Sequence, residues 1–147
     1  MENPAIKYRQ ADIEQVFQKL ISGWSELTDY YNSQSKSYGD TLEDRLAYVD
    51  VGNISRFIVD KIQAGQIDNF EQFFENVEDI MIHGDHYVQE LIVIGLFEGI
   101  QNNGGQEINY YHAFDQWLKD NSLKAWKALI DFWEGNGWRS STEENET

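Results

Sequence analysis

The chain has 147 residues, of which 41% are hydrophobic and 14% aromatic, so one folded domain is expected and a wholly disordered chain is excluded. Asp and Glu total 26 against 11 Lys and Arg, and the resulting net charge of −15 disfavours direct binding to nucleic-acid phosphates. The absence of cysteine excludes disulfides and thiolate metal sites. Residues 1–10 lack the apolar core of a signal peptide and the longest apolar run, 91–97, is too short for a membrane span, which predicts a cytoplasmic protein.

The N-terminal part of the chain predicts an arm followed by one helix. Residues 1–10 form the predicted arm, which contains the single proline. From Ala11 to Tyr31, apolar residues recur at three- and four-residue steps, the pattern of one amphipathic helix. Gly23 lies inside this pattern and is expected to weaken the helix without ending it.

A second helix is predicted to begin at Thr41, whose side chain can cap the backbone N–H of Asp44, and to end at Ala64 and Gly65. Because it has two apolar faces, we expect neighbours on both sides. The faces comprise Leu46, Val49, Asn53 and Phe57 on one side, and Val51, Ile54, Ile58 and Ile62 on the other.

A third helix, capped by Asp68, is predicted to have one apolar and one acidic side. Its apolar stripe comprises Phe70, Phe73, Phe74, Val77, Ile80 and Met81. No lysine interrupts the acids on the opposite side, so like charges repel one another, and the helix dipole stabilises only those near the N-terminus. We therefore predict that this helix faces a cationic partner. The predicted partner-binding residues are Asp68, Glu71, Glu75, Glu78 and Asp79, with Asp40, Glu43 and Asp44 next to them.

The fourth helix, at about 86–102, is predicted to be the centre of the fold because residues 91–97 are apolar on every side. Glu98 is set among apolar neighbours, so we expect a buried structural anchor bonded to a Tyr, a Trp, or Arg45 or Arg56. The alternative for Glu98 is a general acid or base with a raised pKa.

Two more helices complete the prediction. The fifth contains Ile108, Tyr111, Phe114, Trp117 and Leu118; the last has Leu123, Trp126, Leu129, Ile130 and Trp133 directed inward. Residues 139–147 are predicted to form a disordered acidic tail. The predicted fold is therefore an all-α single domain, residues 11–138, with about six helices in a bundle or a short stack of α-α hairpins.

Residues that could carry chemistry do not form a recognisable site in the sequence. His83, Asp85 and His86 straddle Gly84 and lack the spacing of helical metal ligands, so we predict a loop and a helix cap, with no metal and no cofactor. Because a phosphate-binding glycine loop and a nucleophile motif are also absent, we do not predict an enzyme. The enzymatic alternative would use Glu98 with His86 or His112.

The segment GDHYVQELIVIGLFEGIQN, residues 84–102, resembles a pattern in small helical immunity proteins of bacteria. The shared features are a Gly-Asp helix start, an I-G-L-x-E centre and an Ile-Gln-Asn close; the aromatic C-terminal helix, WKALIDFW, looks similar too. Such proteins accompany polymorphic or contact-dependent growth-inhibition toxins and neutralise their toxic domains. The resemblance implies a cytosolic, non-enzymatic antitoxin, and it transfers no binding site.

Together, the resemblance and the charge lead us to expect an immunity protein that binds a cognate, basic toxin domain. Nucleases are one class of toxin that is often basic and would match this negative charge. We expect neither a nucleic acid nor a membrane as partner. An α-helical adaptor for another basic protein is the alternative, which the sequence does not separate from the first. The sequence also leaves the oligomeric state open.

Overall fold

The computed structural model describes residues 5–34, 44–104 and 112–135, with the backbone alone at 44–46. It confirms an all-α fold, with no strand in these ranges. The helices are α1 (Ile13–Ile21), α2 (Ser25–Ser33), α3 (Asp44–Gln63), α4 (Phe70–His83), α5 (His86–Glu90), a π-helical segment (Leu91–Phe97), α6 (Glu98–Gly104) and α7 (Asp120–Glu134). Because α5, the π-helical segment and α6 are continuous and form one central helix, the described residues contain six helices besides a short 3₁₀-helix at Gln10–Asp12. Within the same ranges, no helix has the length and apolarity that a membrane span requires.

The predicted single helix from Ala11 to Tyr31 is two helices in the structure. Gly23 adopts a φ of +83°, in the left-handed region that favours glycine, and this turn separates α1 from α2. A Cβ at Gly23 would also lie 3.0 Å from Cγ of Gln72 on α4. Because of the turn, α1 packs against α4 while α2 packs against α3. The prediction was wrong here because the apolar periodicity of α1 continues into α2.

The closest helix pair joins α3 to the central helix. An ideal Cβ at Gly95 would lie 2.5 Å from Cγ1 of Val51, and one at Gly99 would lie 2.5 Å from Oγ of Ser55. The Ser55 hydroxyl donates a hydrogen bond to the carbonyl oxygen of Leu96 at 2.9 Å. The two glycines, one helical turn apart, therefore allow the two backbones to approach closely.

The π-helical segment is partly exposed, which corrects the expectation of a core on every side. The backbone N–H of Glu98 donates to the carbonyl oxygen of Val93, five residues earlier, as in a π-helix. Leu91, Leu96 and Phe97 are buried, but Ile94 is 48% exposed. The reason is that α3 and α7 pack against this segment and leave the side of Ile94 facing solvent.

Aromatic rings fill much of the core. Every residue of the predicted apolar stripe on α4 is buried, which confirms that prediction. Phe114 contacts the rings of Phe70, Phe74 and Trp126 at centroid distances of 6.1, 5.6 and 5.3 Å. Aromatic pairs at these distances stabilise a core beyond the burial of their area.

Some predicted inward positions differ in the structure. In the predicted fifth helix, residues 112–117 form turns, although Phe114, Trp117 and Leu118 are buried; Ile108 and Tyr111 lie outside the described residues. Trp133, expected inside, is 52% exposed; it lies in the last turn of α7, where its ring contacts the exposed ring of Phe132. Val49, on one predicted face of α3, is also exposed. The predicted cap Thr41 and the predicted tail lie outside the described residues.

The described part of the N-terminal arm is bound to the junction between α4 and α5. The backbone N–H groups of Lys7 and Tyr8 donate to the carbonyl oxygen of His83 at 2.8 and 3.2 Å. The N–H of Asp85 donates in turn to the carbonyl oxygen of Tyr8 at 2.8 Å. The arm therefore packs on the helical fold and holds the start of the central helix in place.

Candidate protein-binding site

The predicted acidic residues differ in their surroundings. Asp68, Glu71 and Glu75 are exposed, whereas Glu78 and Asp79 are half-buried. Asp40, Glu43 and the side chain of Asp44 lie outside the described residues. The predicted capping role of Asp68 is wrong: α4 begins at Phe70, its N-cap residue is Asn69, and the Asn69 side chain makes no capping hydrogen bond.

Glu71 and Glu75 form the exposed part of the acidic face of α4. They lie one helical turn apart, so their side chains project from the same side. Among the described residues neither forms a salt bridge, because the paired cations lie elsewhere: Lys19 is 3.6 Å from Asp79, Arg56 is 3.5 Å from Asp60, and Lys61 pairs with Glu26. Asp68 shares a groove of about 330 Å³ with Lys61 and Glu26, so its charge is better balanced.

Glu78 has a structural task that the sequence did not reveal. One carboxylate oxygen accepts the backbone N–H of Ser122 at 2.9 Å, and the other accepts the backbone and side-chain N–H groups of Asn121 at 3.1 and 2.8 Å. Glu78 therefore caps the N-terminus of α7 from another helix. Burial alone would raise the pKa of Glu78, but these hydrogen bonds outweigh it and lower the pKa.

Asp79 anchors the N-terminal arm. Its carboxylate accepts a hydrogen bond from the hydroxyl of Tyr8 and lies 3.6 Å from both Lys19 and His83. Burial opposes the charged form of Asp79, but the Tyr8 hydroxyl and the neighbouring cations lower its pKa below the ordinary value. For the donor of this hydrogen bond, burial and the contact with Asp79 raise the pKa of Tyr8 to about 12. Glu78 and Asp79 are thus engaged within the fold and less available to a partner than Glu71 and Glu75.

These two carboxyl groups predict a loss of stability in acid. Their folded-state pKa values lie below the ordinary 4.5 of Glu78 and 3.8 of Asp79. The stability that they contribute is therefore present above those ordinary values and is lost as the pH falls through the lower, folded-state values. Urea unfolding from about pH 6 to about pH 3 should show a shallower fall for Glu78→Gln, which cannot titrate, than for the wild type. Glu75→Gln is the control; equal falls for all three proteins would contradict the assignment of Glu78.

Glu98 is half-buried, which corrects the predicted buried anchor. Phe97 and Ile100 take the buried positions beside it, so Glu98 lies at the edge of the packed face, where a carboxylate can remain hydrated. Of the two arginines named as expected partners, Arg56 pairs with Asp60, and the side chain of Arg45 lies outside the described residues.

The histidines of the enzymatic alternative pair with other carboxylates. His86 lies 3.1 Å from Glu90, one helical turn away. Nδ1 of His112 lies 2.6 Å from a carboxylate oxygen of Asp115. The structure thus brings each histidine to an acid other than Glu98.

The predicted loop and cap around Gly84 are confirmed. One carboxylate oxygen of Asp85 accepts the N–H of Val88 at 2.9 Å and caps α5, while the other accepts the N–H of Gln10 at 2.9 Å. Nδ1 of His83 lies 2.8 Å from the carbonyl oxygen of Ala5. In the part of the chain that the structure describes, no group of three or more His, Asp or Glu side chains could hold a metal ion.

A comparison with protein families finds one match. Residues 15–134 match the model of a family described as a domain of unknown function, DUF7674. No curated protein and no solved structure matches the chain. The matched range includes the acidic face of α4, the central helix and α7.

Proposed function

We propose that this protein, which belongs to the DUF7674 family, is an immunity protein that binds and neutralises a basic toxin domain. The observation that carries the proposal is the exposed acidic pair Glu71 and Glu75, which forms no salt bridge with any described residue, in a chain of net charge −15. The electrostatic field of these charges would attract a basic partner over a distance and orient it before contact. The resemblance of residues 84–102 to immunity proteins supports the same function.

Helix α4 is suited to present these charges rigidly. Its inner side buries Phe73, Phe74 and Val77, and its C-terminal half is bound to α7 through Glu78. Side chains on a rigid element lose less conformational freedom when a partner binds. Neutralisation would then follow from covering the active site or an essential surface of the toxin, and it requires no reaction by the immunity protein.

The direct test is co-expression. The candidate toxin is the domain encoded by the adjacent open reading frame, which is expressed in a bacterial host alone, with this protein, and with an unrelated acidic protein of similar size. The proposal expects growth arrest in the first and third cultures and rescue in the second. Binding of the two purified proteins without rescue would favour an adaptor. The absence of both binding and rescue would contradict the proposed function.

Reversing the charges of the acidic pair is expected to slow binding. In Glu71→Lys/Glu75→Lys, the association rate with the purified toxin domain should fall by about tenfold or more at low salt, and the remaining rate should depend less on salt. Stopped-flow fluorescence at about 0.05 and about 0.5 M salt measures both effects. The matched control, Asp29→Lys/Glu134→Lys, changes the net charge equally on other helices. An equal loss in both variants would assign the attraction to the total charge and would contradict a role for α4.

A further inference from the structure

A groove of about 370 Å³ lies where α4, the central helix and the start of α7 meet. Its volume falls within the range of about 300–1,000 Å³ typical of binding pockets. Among the described residues, its lining contains three apolar side chains, one carboxylate and three other polar side chains, and no lysine or arginine. The lining residues are Met81, His86, Gln89, Glu90, Val93, Ile94 and Asn121.

Large apolar side chains are exposed in and beside this groove. Ile94 on the wall is 48% exposed, and Ile82, next to Met81 on α4, is 37% exposed. Exposed apolar area that is grouped at a concave surface, rather than scattered, is typical of a site for another molecule. The part of the lining contributed by Val93 and Ile94 belongs to the π-helical segment, and such segments are frequent at functional sites.

The groove lies at the end of the acidic face of α4. Glu71, Glu75, Glu78 and Ile82 follow one another at steps of four, three and four residues, so they share one side of the helix. Glu78 also binds Asn121, which lines the groove. The outer side of α4 therefore leads from exposed negative charge to exposed apolar surface. Glu90 adds a carboxylate at the rim of the groove.

This arrangement determines the chemistry of the occupant. The apolar walls suit a Leu-like or Phe-like side chain, because its burial removes both surfaces from water. The carboxylates along α4 and at Glu90 favour Lys or Arg on the same occupant and disfavour an acidic segment, including a second copy of this chain. Side chains of both kinds on one short segment are characteristic of an amphipathic, basic helix.

We infer that the groove receives an amphipathic basic helix of the protein partner. An apolar side chain of that helix lies between Met81, Val93 and Ile94, and its cations lie against Glu90 and the acids of α4. The inference rests on the proposed function, because the toxin domain would supply the helix. It goes further by locating the apolar contact that holds the complex, whereas the acids accelerate its formation.

The experiment uses a defined probe and the full chain. A short synthetic helix with lysine and leucine at helical spacing is titrated into methyl-labelled protein and followed by NMR. A scrambled peptide of the same composition and an all-lysine peptide are the controls. We expect the lysine–leucine helix to shift the methyl signals of Met81, Ile82 and Ile94, and both control peptides to bind more weakly. Equal binding of all three peptides would show attraction by charge alone and would overturn the inference.

Two matched variants locate the contact. Ile94→Lys should weaken binding of the lysine–leucine helix by about tenfold or more. Phe132→Lys makes the same change of charge at another exposed apolar residue. Phe132 lies on α7, about 16 Å along the helix axis from Asn121, so this variant should bind the lysine–leucine helix with an affinity within about twofold of the wild type. Val93→Thr, which is nearly isosteric and adds no charge, should also weaken binding. The groove is the wrong site if the first and third variants bind like the wild type, or if Phe132→Lys loses as much affinity.

The outcomes also separate this inference from the proposed function. If the toxin domain is neutralised and its affinity is unchanged in Ile94→Lys and Val93→Thr, the inference fails and the proposed function stands. If the lysine–leucine helix binds in the groove but the protein does not protect cells from the toxin, the proposed function fails and the groove remains a site for a basic helix.

Discussion

Replacing Glu78 by alanine is expected to lower the free energy of unfolding by about 2 kcal/mol. The carboxylate accepts three hydrogen bonds at the start of α7, from the backbone N–H groups of Asn121 and Ser122 and from the Asn121 side chain. In the variant, these donors lose a charged acceptor, and Ser122 is fully buried, which prevents full replacement by water. Thermal unfolding should show a decrease in Tm of about 6 °C.

Glu75→Ala is the matched control for this prediction. Glu75 lies about one turn before Glu78 on α4 and is exposed, so its loss should change the free energy of unfolding by no more than about 0.5 kcal/mol. Glu78→Gln keeps an acceptor but loses the charge, and its stability should lie between those of the wild type and Glu78→Ala. If Glu78→Ala and Glu75→Ala are equally stable, Glu78 does not act as a cap.

Gly95→Ala is expected to destabilise the protein by about 2 kcal/mol, although alanine is the better helix former by about 1 kcal/mol. The new Cβ would lie 2.5 Å from Cγ1 of Val51 and 3.3 Å from Cδ1 of Tyr48. Val51 is fully buried on α3, so relief of the clash requires the two helices to separate or the core to shift. Urea unfolding followed by circular dichroism measures the loss.

Gly52→Ala gives the opposite expectation. Gly52 is also helical, but a Cβ there would meet no atom of another described element within 4 Å, so alanine should stabilise the protein by up to about 1 kcal/mol. A double-mutant cycle completes the test: Gly95→Ala should cost less in a Val51→Ala background, because the clashing methyl is gone. If Gly95→Ala stabilises the protein as Gly52→Ala does, the close approach of α3 and the central helix is refuted.

Glu71 and Glu78 show how far sequence reasoning can predict the candidate site. Both belong to the acidic side of α4, and helical periodicity assigns them to one surface. The structure leaves Glu71 exposed and engages Glu78 with Asn121, which is 43 residues away in the chain. The groove beside Ile94 is equally non-local, since its walls come from three helices. No pattern within one helix could have indicated these contacts.

The sequence by itself determined the all-α class, the apolar stripe of α4, the cap at Asp85 and the large negative charge. These features depend on periodicity, on a capping bond to Val88 three residues away, and on composition, all of which are local or additive. Only the tertiary structure decided that Gly23 divides two helices, that α3 packs closely against Gly95 and Gly99, and that Glu78 caps α7. Each of these depends on a neighbour from a distant part of the chain, and packing selects that neighbour only when the whole core has formed.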